Sequence, residues 1–277
     1  MNTTAVVARA PIGIFDSGLG GLTVASAIRQ ALPAERLLYF GDTAHIPYGD
    51  RSLREVRAFS AGIVRALMAK GCKMIVIACN TASAAALKEL REAYPRFPFI
   101  GMEPAVKPAA ERSRSNVVGV IATRATFQGE LFASVVERFA QGVKVIEQPC
   151  PGLVQAIEAG DLDTPATEKM LRDWLEPMLA QGMDELVLAC THYPLVRPLI
   201  QRICGPGVEI IDPAPAVARQ VKRVLDEQQL LATEGNGAFH LWTSRITDEL
   251  PVILDLLDLR GDAVVEARWG GGTLTLP

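Results

Sequence analysis

The chain has 277 residues, 49% hydrophobic and 21% charged, which suits one large domain or two modest ones and is too apolar for a disordered chain. Lys and Arg number 28 against 31 Asp and Glu, so a formal net charge of −3 offers no basic field to nucleic acid. Helix-turn-helix, RNP-type and Cys/His zinc-finger patterns are also absent.

Residues 1–9 carry neither a basic start nor a sustained apolar run, and they read as a short floppy leader rather than a secretory signal. Strands are predicted at 12–15, 37–40, 74–78, 99–101, 117–122, 143–147, 185–189 and 208–211. Between them lie stretches such as 52–70 and 81–93, with apolar residues at helical spacing. The end of the chain adds a helix at 216–229, a strand at 239–243, a helix at 247–257 and a last strand at 264–268. The longest apolar runs, 74–79 and 117–122, are six residues each. A membrane helix needs about 18, so no membrane association is expected. Strands that are apolar throughout and alternate with helices predict parallel sheets covered on both faces.

The sequence repeats itself. Residues 69–79 read AKGCKMIVIAC and residues 180–190 read AQGMDELVLAC, with Ala, Gly, Val, Ala and Cys recurring at an offset of 111. Gly13-Ile14-Phe15-Asp16-Ser17 parallels Gly119-Val120-Ile121-Ala122-Thr123, and Met102-Glu103-Pro104-Ala105 parallels Ile211-Asp212-Pro213-Ala214. The expected architecture is therefore α/β, with two similar lobes of mainly parallel sheet. Residues 1–103 plus 214–277 would form the first lobe and 104–213 the second, with proline-marked crossings at 104–108 and 213–215. Ligands in open α/β sheets bind beyond the C-terminal strand ends. Two facing lobes would put Cys79 and Cys190 on opposite walls of one interdomain cleft.

Five scattered cysteines in a chain of this size point to a reduced, cytoplasmic protein. Cys72, Cys150 and Cys204 read as small buried hydrophobes. Cys79 and Cys190 differ, because each ends a strand, precedes two polar residues and begins a helix-like segment, where a helix N-terminus favours thiolate. A redox pair usually reads Cys-x-x-Cys, which the chain lacks. A zinc site from Cys79, Cys190 and His192 lacks the usual ligand spacing. An acid/base pair fits better: one thiolate removes a proton from one face of a carbon while the other thiol protonates the opposite face. Small polar residues after the strands supply donors for a substrate carboxylate. Gly18-Leu19-Gly20-Gly21 lacks the third glycine of a dinucleotide loop, since position 23 is Thr, and neither Walker A nor G-x-S-x-G occurs. No cofactor or metal is expected. In the loop from Tyr39 to Gly49, rich in special residues, His45 alone reads as structural.

Four segments together resemble the bacterial glutamate racemase family: Phe15 to Val24, Gly41-Asp42 with Pro47-Tyr48-Gly49, Ala78 to Ala82, and Ala189 to Leu195. The resemblance implies a cofactor-independent enzyme of two α/β domains that interconverts L- and D-glutamate and supplies D-glutamate for peptidoglycan. It implies that Cys79 serves the D-enantiomer, assisted by Asp16, and that Cys190 serves the L-enantiomer, assisted by His192. Ser17, Pro47, Tyr48, Gly49, Asn80, Thr81, Thr123, Thr126 and Thr191 match substrate-binding places, as do Asp16 and His192, and Glu158 matches an acidic residue near the site. The implied partner is glutamate, and a homodimer is left open. One departure is Ala122, where the family often carries Gly; its methyl is expected to tilt the loop at Thr123. An aspartate racemase of the same superfamily would share both thiols and differ in pocket length. A two-lobed amino-acid binding protein would need no facing thiols and would normally carry a signal sequence.

Overall fold

The computed structural model describes residues 8–259 and 264–277. Most of the expected leader, residues 1–7, lies outside the described residues. Two parallel sheets organise the chain. In the first, β1 (Ile12–Asp16), β2 (Leu37–Gly41), β3 (Met74–Ile77) and β4 (Phe99–Gly101) alternate with α1 (Leu22–Ala31), α2 (Leu53–Ala69) and α3 (Asn80–Ala93). After α4 (Val106–Arg112), the second sheet uses β5 (Val117–Ala122), β6 (Lys144–Pro149), β7 (Glu185–Ala189) and β8 (Glu209–Ile211). Its helices are α5 (Arg124–Gln128), α6 (Glu130–Phe139), α7 (Leu153–Glu158), α8 (Pro165–Leu179) and α9 (Arg197–Cys204). The chain then returns through α10 (Ala214–Glu227), which packs on α1, and adds β9 (Phe239–Thr243), α11 (Leu250–Leu256) and β10 (Val264–Glu266) to the first sheet. A two-stranded antiparallel hairpin, β11 (Arg268–Gly270) with β12 (Thr273–Thr275), ends it.

The sequence repeat becomes a repeat of topology. The first sheet runs β10-β9-β2-β1-β3-β4 and the second β6-β5-β7-β8. Within each, the first strand of the unit lies between the second and the third, so strand order reverses at β1/β3 and again at β5/β7. Such reversal points open a crevice at the C-terminal strand ends. Asp16 and Cys79 flank the first crevice; Thr123 and Cys190 flank the second. β1, β2, β3 and β7 are buried at every position, as strands covered on both faces must be. One apolar cluster contains both Ile14 of β1 and Leu188 of β7, so the lobes share packing.

Several ends differ from the sequence expectation. The strand expected at 143–147 lies at Lys144–Pro149. The helix expected at 216–229 begins at Ala214, whose N–H donates to Asp212 Oδ1 at 2.9 Å, with a proline in its first turn. The helix expected at 247–257 spans only Leu250–Leu256. The strand expected at 264–268 breaks at Ala267, whose N–H turns to Thr243 O at 2.8 Å; Arg268 then opens the hairpin. Its turn needs Gly271 and Gly272, at φ of 57° and 77°. Below the sheet, Lys73 and Glu35 form a buried ion pair at 2.6 Å, and Lys73 Nζ also donates to the carbonyls of Ala8 and Leu230. Burial lowers the Lys73 pKa despite its partner. Among the described residues, no helix is long and apolar enough to cross a membrane.

Candidate active site

Each thiol sits where a buried strand ends. Cys79 follows β3 and caps α3, its Sγ accepting from the Ala82 N–H at 3.4 Å and lying 3.8 Å from Ser17 Oγ. Cys190 follows β7, with its Sγ 3.8 Å from His192 Nδ1. The two thiols line one cavity of about 10 Å³. That is room for about one water, so the cleft is shut.

The surroundings of the two sulfurs have opposite charge. Asp16, fully buried at the end of β1, accepts from the Gly21 N–H at 2.8 Å. Burial raises its pKa, although nearby His192 and its hydrogen bonds pull the other way. Burial first, and then the Asp16 charge, push the Cys79 thiol well above its ordinary value. On the other wall, burial lowers the His192 pKa, but contacts with Cys190 and Glu158 outweigh it and hold the imidazole well above its ordinary range. These contacts favour the protonated imidazolium form of His192. Its Nε2–H donates to Glu158 Oε1 at 2.6 Å, and its Nδ1–H faces the Cys190 sulfur.

The glycine loop after β1 explains its own composition. Glu158 Oε1 accepts from the Leu19 N–H at 2.6 Å, and the Gly20 N–H approaches His192 Nε2 to 3.2 Å. With Nε2 protonated, the second contact is a close approach and no hydrogen bond. A Cβ on Gly20 would collide with the His192 ring, and one on Gly18 with the Glu158 carboxylate. These glycines admit side chains of the opposite lobe, where a dinucleotide loop would admit phosphate.

Of the remaining residues singled out in the sequence, Ser17, Pro47, Tyr48, Gly49, Asn80, Thr81, Thr123 and Thr191 line the cavity with the two thiols and His192. Asp16, Thr126 and Glu158 stand behind that lining. The Asn80 side-chain amide is buried, and neither its nitrogen nor its oxygen has a hydrogen-bond partner. Such a group at a cavity wall is a ready ligand contact. Thr81, Thr123 and Thr126 join hydroxyls across the cleft: Thr81 Oγ1 to Thr123 Oγ1 at 2.9 Å, and Thr123 Oγ1 to Thr126 Oγ1 at 2.9 Å. Ala122 keeps strand register with Pro149 and Ala189, and Thr123 still caps α5.

The Tyr48 hydroxyl does not face the cavity freely; it donates to Asp42 Oδ2 at 2.7 Å. His45 is structural, paired with Asp42 and stacked on Phe59 at 4.1 Å between centroids. Cys72, Cys150 and Cys204 are buried free thiols, Cys72 pushed up to about 12 and Cys204 to about 11 by burial. Burial raises the Cys150 thiol further still, and it lies near Cys190. Sequence reasoning missed Val154 in the lining and the Tyr193 hydroxyl, buried against Cys150 and Cys190. Tyr193 adjoins the Cys-Thr-His run, and that adjacency was the available signal. Among the described residues, no group of three or more His, Cys, Asp or Glu side chains is arranged to hold a metal ion.

Comparisons with known proteins agree with this geometry. A family profile described as Asp/Glu/Hydantoin racemase matches residues 12–221. A glutamate racemase of Ectopseudomonas mendocina is 51% identical over 90% of this chain and 95% of its own length. One from Roseiflexus is 49% identical over 93% and 95%. Among solved structures, a Bacillus anthracis glutamate racemase superposes with a TM-score of 0.86 at 32% identity, covering 96% of this chain and 99% of that one. A Francisella tularensis glutamate racemase, solved in complex with D-glutamate, gives 0.82 at 31% identity, covering 94% and 97%. With strands β1 to β8, both thiols and the glycine loop inside the matched span, the chain belongs to the Asp/Glu/hydantoin racemase family.

Proposed function

We propose that the protein racemises glutamate by a two-thiol proton transfer at Cα, without a cofactor, and that it supplies D-glutamate for peptidoglycan. The observation that carries this reading is the pairing of Cys79 and Cys190, at matching points of two repeated sheets, in one cavity with opposite charge beside each. The relatives named as glutamate racemases support glutamate as the substrate, and the D-glutamate complex of the Francisella enzyme supports a small acidic ligand in this cleft.

From L-glutamate, the Cys190 sulfur takes the α-proton and becomes a thiol. The carbanion takes the Cys79 proton on its opposite face, leaving D-glutamate and a Cys79 thiolate. The reverse direction exchanges the two roles. Asp16 then relays a proton to Cys79, and His192, backed by Glu158, relays one from Cys190. Ser17, Asn80, Thr81, Thr123, Thr191 and the Gly49 N–H hold the substrate's charged ends, where fixed donors stabilise the developing carbanion. Pro47 and Tyr48 shape the wall, and Thr126 supports Thr123. The lobes on this reading are residues 1–103 with 214–277, and 104–213. Five free thiols suit a cytoplasmic setting.

The test is the decay of circular dichroism with L-glutamate, and separately with L-aspartate, in metal-free buffer with no added cofactor. Decay with glutamate and little with aspartate is expected. Preference for aspartate, or dependence on an added cofactor, overturns the reading.

A further inference from the structure

Asp42 is fully buried at the end of the first sheet and gathers donors from two distant parts of the chain. Its Oδ2 accepts from the Tyr48 hydroxyl at 2.7 Å and from His45 Nδ1 at 2.9 Å. Its Oδ1 accepts from Ser244 Oγ and Trp269 Nε1, both at 2.9 Å. The first pair belongs to the loop that carries Tyr48 and Gly49 into the cleft. The second pair comes from the end of the chain, 202 and 227 residues further on. A buried carboxylate stripped of a donor is left with an unsatisfied oxygen, so each donor holds the others' geometry in place.

The Trp269 ring is seated for this contact. Helix α2 carries Gly62 where the indole rests, and a Cβ there would lie 2.8 Å from the ring. Glycine inside a helix is unfavourable relative to alanine, so Gly62 gives up helix stability to admit the ring. The indole meets His45 edge-on at 5.4 Å and Phe59 at 6.0 Å. The end of β9 is tied to the same loop, with Ser244 Oγ accepting from the Ala44 N–H at 2.8 Å and Thr43 Oγ1 lying 2.8 Å from Thr243 Oγ1.

We propose that Trp269 is a positioning residue for glutamate binding: through Asp42 it sets the Tyr48–Gly49 loop against the substrate, making the C-terminal hairpin part of the binding apparatus. This rests on reading Tyr48 and Gly49 as substrate-facing. It adds a segment that lies beyond residues 12–221, the span matched by the family profile.

Trp269→Phe keeps a ring in the seat and removes the N–H. KM for D- and L-glutamate is expected to rise about three- to tenfold, because only part of the lost hydrogen bond to Asp42 is passed on to the substrate through the Tyr48–Gly49 loop. The turnover number should stay within about twofold, because the proton-transferring groups lie on other strands. Ser244→Ala, which leaves the indole in place but removes the other Oδ1 donor and the acceptor of the Ala44 N–H, should raise KM at least as much and serves if the tryptophan variant fails to fold. In a Tyr48→Phe background, Trp269→Phe should add little further, since both act through one carboxylate. Unchanged KM in Trp269→Phe and Ser244→Ala, or additive effects in the double variant, overturns the proposal. A Cys190→Ala control separates the two readings. Full racemase activity there overturns the site assignment and this proposal with it. Lost activity there, with unchanged KM in Trp269→Phe, overturns this proposal alone.

Discussion

Cys79 and Cys190 end corresponding strands of two sheets with the same order, yet one sulfur lies beside a buried carboxylate and the other beside an imidazolium. The backbone repeat supplies two facing thiols; the difference in neighbours decides where the proton rests. Asp16 disfavours negative charge on Cys79, whereas His192 presents a proton and a positive charge to the Cys190 sulfur. The proposed mechanism needs one thiolate and one thiol at any moment, and the Asp16 carboxylate beside Cys79 keeps the proton on that sulfur. A symmetric pair of carboxylates or of imidazoles would leave the choice open. The repeated strand order places the two sulfurs, and the unlike residues around them make the two walls chemically different.

Removing either thiol breaks the comparison most severely. Cys79→Ala and Cys190→Ala should each lower racemisation by at least about 10²- to 10⁴-fold, the usual worth of a positioned acid or base. In deuterated water, Cys79→Ala should still exchange the α-proton of L-glutamate without inversion, and Cys190→Ala that of D-glutamate, as followed by proton NMR. Near wild-type racemisation by either folded variant would end the two-thiol account.

The supporting groups come next. Asp16→Asn and His192→Asn should slow turnover by about 10- to 100-fold, below the thiols themselves, with much smaller changes in KM. The enantiomers have equal free energy, so kcat/KM must match in the two directions in every variant. The asymmetry therefore has to be read from isotope effects with α-deuterated substrates. Asp16→Asn should raise the isotope effect for D-glutamate more than for L-glutamate, and His192→Asn the reverse. Equal isotope effects in both variants would show that neither residue belongs to one thiol.

Gly20→Ala tests the contact between the two sides without altering any titrating group. Its Cβ would meet the His192 ring and backbone N, so the variant should lose turnover in the manner of His192→Asn, though less completely, with a folded circular dichroism spectrum and a lowered melting temperature. Unimpaired turnover would mean that the loop and His192 need not meet during catalysis.

The smallest effect concerns pH. The His192 pKa is raised in the folded protein, so the imidazolium persists through neutrality and is lost only as pH rises through that raised value. A pH profile of kcat should therefore show no inflection near 6.5, the unperturbed histidine value. An inflection there would place His192 in the neutral form and remove the charge difference between the two sides.

The sequence was informative wherever function and fold are written locally. Parallel strands buried on both faces read as apolar runs, and the cysteines that end β3 and β7 were visible because the repeat marks them. What could not be read lies in pairings between remote residues. Glu158 meets His192 34 residues away, and Trp269 meets Asp42 227 residues away. Neither spacing leaves a periodic signal. Val264 to Arg268 reads as one strand, and nothing local marks the break where a tertiary bond turns the Ala267 N–H to Thr243 or the hairpin that follows. The loop Gly18 to Gly21 gave a true signal with an ambiguous cause, since glycine marks close approach without saying what approaches.

The narrowness of the cleft has a consequence for the order of events. With a cavity of about 10 Å³, the cleft in this state has no room for glutamate, and it is bridged by the bonds of Leu19 to Glu158 and Thr81 to Thr123 and by the approach of His192 to Gly20. The contacts that seal the mouth are made by the residues that ready the proton relay. On the proposed mechanism, parting the lobes would disarm the relay and closing them would rearm it, so the fold would work as an interlock. The carbanion would then form only with bulk water, the competing proton donor that would scramble its stereochemistry, shut out.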